Sequence, residues 1–174
     1  IIVYLSNFVG AILFAFLISQ SGLLDTNSGL LGAMVIKTAV NKVSIPFGQA
    51  FVRGILCNIL VVLAVWMATA AKDIVGKVFA CWFPIMLFVM SGFEHSIANM
   101  YFIPAGIFVS SNSTYITAGK IHAEALAKLN IGGLFGNLIP VTLGNIIGGA
   151  LVIGMAYWYV YRHTDKKFDG TINQ

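Results

Sequence analysis

Two ionisable side chains, Glu94 and His95, stand side by side inside Ser91-Gly92-Phe93-Glu94-His95-Ser96, which interrupts a long apolar stretch. Ionisable groups at membrane depth are costly unless they face protein or a water-filled cavity, so such residues are functional candidates by default. A glutamate where a helix breaks can accept hydrogen bonds from freed N–H groups, since unsatisfied backbone in lipid is costly, and Glu94 takes that supporting role. An imidazole at the same break stands near half-helix termini, where it can donate a hydrogen bond to an anion or pass a proton. His95 is the first candidate for chemistry.

Three further positions belong with it. Asn58 is the strongly polar residue within its apolar span, and it either glues two helices together or hydrogen-bonds His95 and fixes its tautomer. Lys42 precedes that span, either as a solvated interfacial charge or as an attractor that raises local anion concentration at a pore mouth. Phe88 lies one turn before the break, where an aromatic either packs or closes a narrow apolar constriction. Ser91, Gly92 and Asn99 surround the break as supporting residues. Cys57 and Cys81 both sit in apolar stretches and read as packing rather than as a disulfide or metal ligands. There is no His-Glu-x-x-His signature and no nucleophile, base and orienter set, so neither an enzyme nor a metal or other cofactor is expected.

These residues are positioned by an integral membrane protein. The chain is 59% hydrophobic and 9% charged, more apolar surface than a soluble domain of 174 residues could hide. A spanning helix needs about 20 apolar residues. Spans are expected at about 1–21, 46–71, 78–109 and 138–161, the third broken at the Glu94–His95 motif between Pro84 and Pro104. Pro46 suits the first turn of the second span. A short helix is expected over 28–43, and a polar loop over 110–130, helical in part from Ala118 to Leu129. Residues 1–162 thus make a transmembrane domain and 163–174 a polar tail. Ile1-Ile2-Val3 runs straight into the first span without a signal-peptide flank, which reads as truncation upstream. The net charge of +4 is spread between spans and at the C-terminus, the distribution of a membrane protein rather than of a nucleic-acid binder. Lysines and arginines balance across the two faces, but the cluster of Arg162, Lys166 and Lys167 directly flanks its span and places the C-terminus in the cytoplasm. Tyr157, Trp158, Tyr159 and Tyr161 form an aromatic belt before it.

An internal repeat sharpens the architecture. Leu5-Ser-Asn-Phe-Val-Gly-Ala-Ile-Leu13 aligns without gaps to Leu143-Gly-Asn-Ile-Ile-Gly-Gly-Ala-Leu151, pairing Asn7 with Asn145 and Gly10 with Gly148. Copies separated by an odd number of spans cross in opposite directions, the inverted repeat of transporters and channels. The last span is preceded by a plain span and a broken span. The first is therefore expected to follow a similar pair, giving six spans in a whole protein.

At Gly92-Phe-Glu-His-Ser-Ile-Ala-Asn-Met100 the sequence closely resembles the formate/nitrite transporter family. Arg53-Gly-Ile-Leu-Cys-Asn-Ile-Leu-Val-Val-Leu-Ala-Val-Trp-Met67 resembles that family's fourth-helix signature, and Asn137-Leu-Ile-Pro-Val-Thr-Leu-Gly-Asn-Ile-Ile-Gly-Gly149 its sixth. The resemblance covers essentially the whole chain. It implies an all-α, aquaporin-like, six-helix inverted-repeat bundle, of which about four spans are present, assembled as a homopentamer with a substrate pore through each protomer. By the same resemblance His95 is the central pore histidine, Asn58 its polar companion, Lys42 the vestibule lysine and Phe88 a constriction residue. The family's other broken helix, which carries a threonine facing the histidine, has no counterpart here, so these spans alone are not expected to complete a pore. The implied activity is conduction of a small monovalent anion (formate, nitrite or hydrosulfide), pH-dependent and proton-coupled, across the cell membrane. The Ile103-Pro104 and Ile139-Pro140 contexts look more like formate or hydrosulfide members. A pore for neutral solutes such as water or glycerol is the rival, and it has no need of a vestibule lysine or a central histidine.

Overall fold

The computed structural model describes residues 1–162, and every regular element among them is helical. Helix α1 spans Ile2–Gln20, α2 Leu30–Val43, α3 Phe47–Ala70, α4 Ile74–Met90, α5 Ser96–Val109, α6 Ser113–Gly119, α7 Ala123–Ala127 and α8 Ile131–Ile146. The last continues through a π-helical stretch, Ile147–Gly154, and on to Arg162. Helices α1, α3 and Ile131–Arg162 are long and apolar enough to cross a membrane, while α4 and α5 are shorter apolar helices flanking the break. The expected polar tail lies outside the described residues.

The chain divides into two compact units, Ile1–Ala50 with His95–Val141, and Phe51–Glu94 with the residues from Thr142 onward. In the first unit α5 packs on α1 and α2, around a core that includes Ile36, Ala39, Met100, Ile103, Leu134 and Leu138. Small residues set the spacing, as association of apolar helices in lipid requires close packing. A Cβ on Gly106 would land on the Ala39 methyl group. Tyr115 of α6 lies across α2 where Gly32 leaves room, since a Cβ there would come within 2.6 Å of its ring. Its hydroxyl donates to Asp25 Oδ1 at 2.7 Å. Burial pushes the Tyr115 phenol above its ordinary 10.0, and the hydrogen bond and charge of Asp25 push the same way.

The loop over 110–130, expected to be helical in part from Ala118 to Leu129, holds α7 within that range and also α6, which begins before it. Asn112 caps α6 by accepting from the Thr114 and Tyr115 N–H groups, at 2.9 and 3.4 Å. Lys120, at φ +50°, then turns the chain left-handed and ends the helix before α7 begins.

In the second unit α3 and the continuation of α8 are in close contact. A Cβ on Gly144 would meet the Phe51 carbonyl oxygen, and one on Gly148 the Ile55 carbonyl oxygen. Farther along, Trp66 stacks on Tyr157 with ring centroids 4.4 Å apart and on Tyr161 at 5.6 Å. Arg162 lies over the Trp158 ring, 5.0 Å from its centroid. Around α4 the large apolar side chains are exposed on most sides, including Ile74, Phe79, Trp82, Phe83, Leu87 and Met90.

Candidate functional site

Helix α4 stops in a Schellman motif. The Gly92 N–H donates to the Val89 carbonyl at 3.2 Å and the Phe93 N–H to the Phe88 carbonyl at 3.1 Å. Gly92 adopts φ +67°, a left-handed conformation that glycine enters without penalty. Ser91 is the C-cap residue, and Phe88, half-buried, supplies a carbonyl that closes the motif. The chain is then extended for a few residues, and Glu94, 2% exposed, is anchored through its backbone. Its N–H donates to the Arg53 carbonyl at 3.3 Å, and its carbonyl accepts from Asn145 Nδ2 at 3.0 Å. Asn145 Nδ2 also donates to the Gly54 carbonyl at 2.8 Å, so one carboxamide ties the end of the break to α3.

Asn58 acts on the same helix from the other direction. Its Nδ2 donates to the Asn145 carbonyl at 2.7 Å, a bond between helices. That carbonyl belongs to the turn before the π-helical stretch. A side chain inserted into the helical ladder takes an acceptor from it and widens the following turns. Gly149 makes the insertion possible, because a Cβ there would come within 2.6 Å of Asn58 Nδ2.

In the other unit His95 is the N-cap of α5, in extended conformation, with its Nδ1 accepting from the Ala98 N–H at 3.4 Å. A ring nitrogen that accepts carries no proton, so this bond assigns the ring N–H to Nε2. The His95 carbonyl accepts from the Asn99 N–H at 3.0 Å. Asn99, one turn into α5, is fully buried and donates through Nδ2 to Asn137 Oδ1 at 2.7 Å. Asn137 Nδ2 in turn donates to the Lys42 carbonyl at 2.8 Å. A buried relay therefore runs from the start of α5 through α8 to the last turn of α2, where Lys42 stands half-buried.

The first unit thus links His95, Asn99 and the backbone of Lys42, and the second joins Glu94 and Asn58 to Asn145, with Phe88, Ser91 and Gly92 closing the end of α4. Asn137 and Asn145, which order these groups, were not singled out as site residues from sequence. Both are strongly polar residues of one apolar helix, α8, a signal of the same kind as the one that marked Asn58. No group of three or more His, Cys, Asp or Glu side chains that could hold a metal ion occurs among the described residues.

Residues 1–159 match the family model described as formate/nitrite transporter. The chain is 44% identical over 162 residues to the formate channel FocA of Escherichia coli strain K12, covering 91% of this chain and 57% of that protein. It is 43% identical to a probable formate transporter of Methanothermobacter thermautotrophicus, covering 89% of this chain and 56% of that protein. This chain accordingly spans little more than half the length of these relatives. Among solved structures, a pentameric formate channel with formate bound superposes with a TM-score of 0.83 at 38% identity, covering 91% of this chain and 64% of that one. A match of that extent leaves one assignment, and the chain belongs to the formate/nitrite transporter family.

Proposed function

We propose that this protein conducts a small monovalent anion, formate foremost, through a pore in each protomer of a homopentamer. The observation that carries the reading is the 0.83 TM-score, at 38% identity, to the pentameric channel with formate bound. The protein is a multi-pass membrane protein; we place it in the cell membrane, with its C-terminus in the cytoplasm. Lys42 draws the anion to the vestibule, Phe88 belongs to an apolar constriction that excludes water, and His95 with Asn58 as polar companion holds the anion. A bare anion would stall in a dry barrier. Protonation to the neutral weak acid lets it pass and couples flux to pH.

The cap on α5 supports a hydrogen-bonding role for His95. A histidine that passes its Nε2 proton must take one up, and the vacant nitrogen is the Nδ1 that caps α5. We therefore assign His95 the role of hydrogen-bond donor through Nε2–H, with water as the proton source. Full-length protein in proteoliposomes, presented with formate, nitrite and hydrosulfide over a pH series, tests this. Rapid formate uptake that keeps its pH dependence, at a lower rate, in His95→Asn is the expected result. Loss of that dependence makes His95 the proton donor instead. Glycerol permeation without anion uptake would replace the anion channel by a neutral-solute pore.

A further inference from the structure

Between α1 and α2 the chain passes through three consecutive left-handed residues, Asn27 at φ +55°, Ser28 at +56° and Gly29 at +84°. Glycine enters that region freely, whereas a side chain there crowds the following carbonyl, so Asn27 and Ser28 keep this shape only where the surroundings impose it. One residue imposes it from both ends. The Tyr115 hydroxyl donates to Asp25 Oδ1, just before the run, at 2.7 Å. Its ring lies against the backbone of Gly29 and Gly32, where a Cβ would come within 3.0 and 2.6 Å of it. Tyr115 is itself buried, and its N–H is held by the Asn112 cap at the start of α6. A recess of about 630 Å³ lies between Asn27 and Ser28 on one side and Thr114 and Thr117 of α6 on the other, so the run has space to relax once the hydroxyl bond is cut.

Helix α2 carries the effect onward. It runs unbroken from Leu30 to Val43, a rod in which Lys42 stands about 18 Å from Leu30. Its far end is tied by the bond from Asn137 to the Lys42 carbonyl, so α2 is fastened at the turn and at the lysine. Resting on the vestibule role of Lys42, we propose that Tyr115 is a positioning residue for that lysine: it latches the strained turn over 27–29, and the turn sets where α2 carries Lys42. With the hydroxyl bond removed, the turn relaxes into the recess and the lysine end of α2 loses its fixed place.

The test uses full-length protein in proteoliposomes, with a nitroxide spin label on Asn41→Cys, an exposed position beside Lys42, after Cys57→Ala and Cys81→Ala. Tyr115→Phe is expected to make the label more mobile and to raise the apparent KM for formate severalfold, towards that of Lys42→Ala, while the maximal rate is kept. Adding Ser28→Gly, which removes strain without restoring the bond, is expected to return both readings towards the parent. A label and a KM that stay at parent values in Tyr115→Phe overturn the proposal, as does a mobile label with an unchanged KM. Failure of Ser28→Gly to restore either reading would show plain loss of packing and overturn the latch. A parent protein that takes up no anion refutes the transport reading instead, and the label then decides the latch alone. Mobility raised by Tyr115→Phe and reversed by Ser28→Gly supports it, and parent-like mobility overturns it.

Discussion

His95 carries two separable duties, a cap on α5 and a proposed contact with the anion, and substitutions can divide them. Asparagine is a good N-cap, so His95→Asn is expected to stay within a few tenths of a kcal/mol of the parent, whereas His95→Leu loses about 1 kcal/mol with the cap. Thermal unfolding of the two variants side by side checks this, and both are expected to slow anion uptake. Asn137 is the complementary case. Asn137→Leu removes its bonds to Asn99 and to the Lys42 carbonyl, and the expected loss is about 1–3 kcal/mol. Slower uptake is expected as well, because the backbone that presents Lys42 is released; wild-type stability in Asn137→Leu would remove the relay from the account. At residue scale much of this was open to sequence reasoning. His95, Glu94 and Asn58 stood out as polar groups in apolar runs, and Gly92 as a glycine at a break. Asn137 emitted the same signal but was absorbed into a longer motif. The partners could not be read at all, since which carbonyl an amide meets depends on the separation of helices far apart in sequence.

Elements show where local pattern suffices and where it fails. The apolar runs of α1, α3, α4 and α5 were legible because lipid demands long uninterrupted apolar helices. Helix α6 was not located, although Asn112-Ser113-Thr114 carries a capping signal, because polar loops offer no periodicity to fix the start. Contact between α3 and α8 rests on glycine. Gly148→Ala places a methyl group on the Ile55 carbonyl, a backbone atom that cannot rotate away, and an overpacking loss of about 1–3 kcal/mol is expected. A purified variant as stable as the parent on thermal unfolding would show that the helices can separate freely. The Tyr115 bridge to Asp25 predicts a pH effect. A phenol whose folded pKa is raised contributes stability that is fully present below the unfolded value of 10.0 and is lost as pH rises through the folded value. Unfolding temperature is therefore expected to drop above about pH 10, and Tyr115→Phe to flatten that part of the profile.

For the whole molecule, the apolar exterior decides behaviour more than any single site. Phe79, Trp82 and Phe83 on α4 are 55%, 63% and 55% exposed, and water would solvate them poorly. After alkaline carbonate washing the protein is expected to remain entirely in the membrane pellet and to be released only by detergent. Recovery in the carbonate supernatant would contradict the multi-pass reading. Charged substitution sharpens the test, since an arginine at the centre of a spanning helix costs about 2.5–3.5 kcal/mol in insertion, and Val9→Arg in α1 should lower the inserted fraction.

The π-helical stretch has a consequence for how α8 tolerates change in length. A π turn accommodates one residue more than the α turn it replaces, so the extra residue is absorbed between Ile147 and Gly154 and the helix beyond keeps its facing. Deleting one residue there, Val152 for instance, would let the ladder close as an α turn with everything downstream in place, whereas deleting Met155, beyond the wide turns, would swing the rest of the helix by about 100°. Only the second deletion would take Tyr157 and Tyr161 off the face of Trp66, on which they stack, and the indole fluorescence would report the difference. The helix is thus expected to forgive a lost residue at the turns that follow the Asn58 bond and nowhere nearer the aromatic belt.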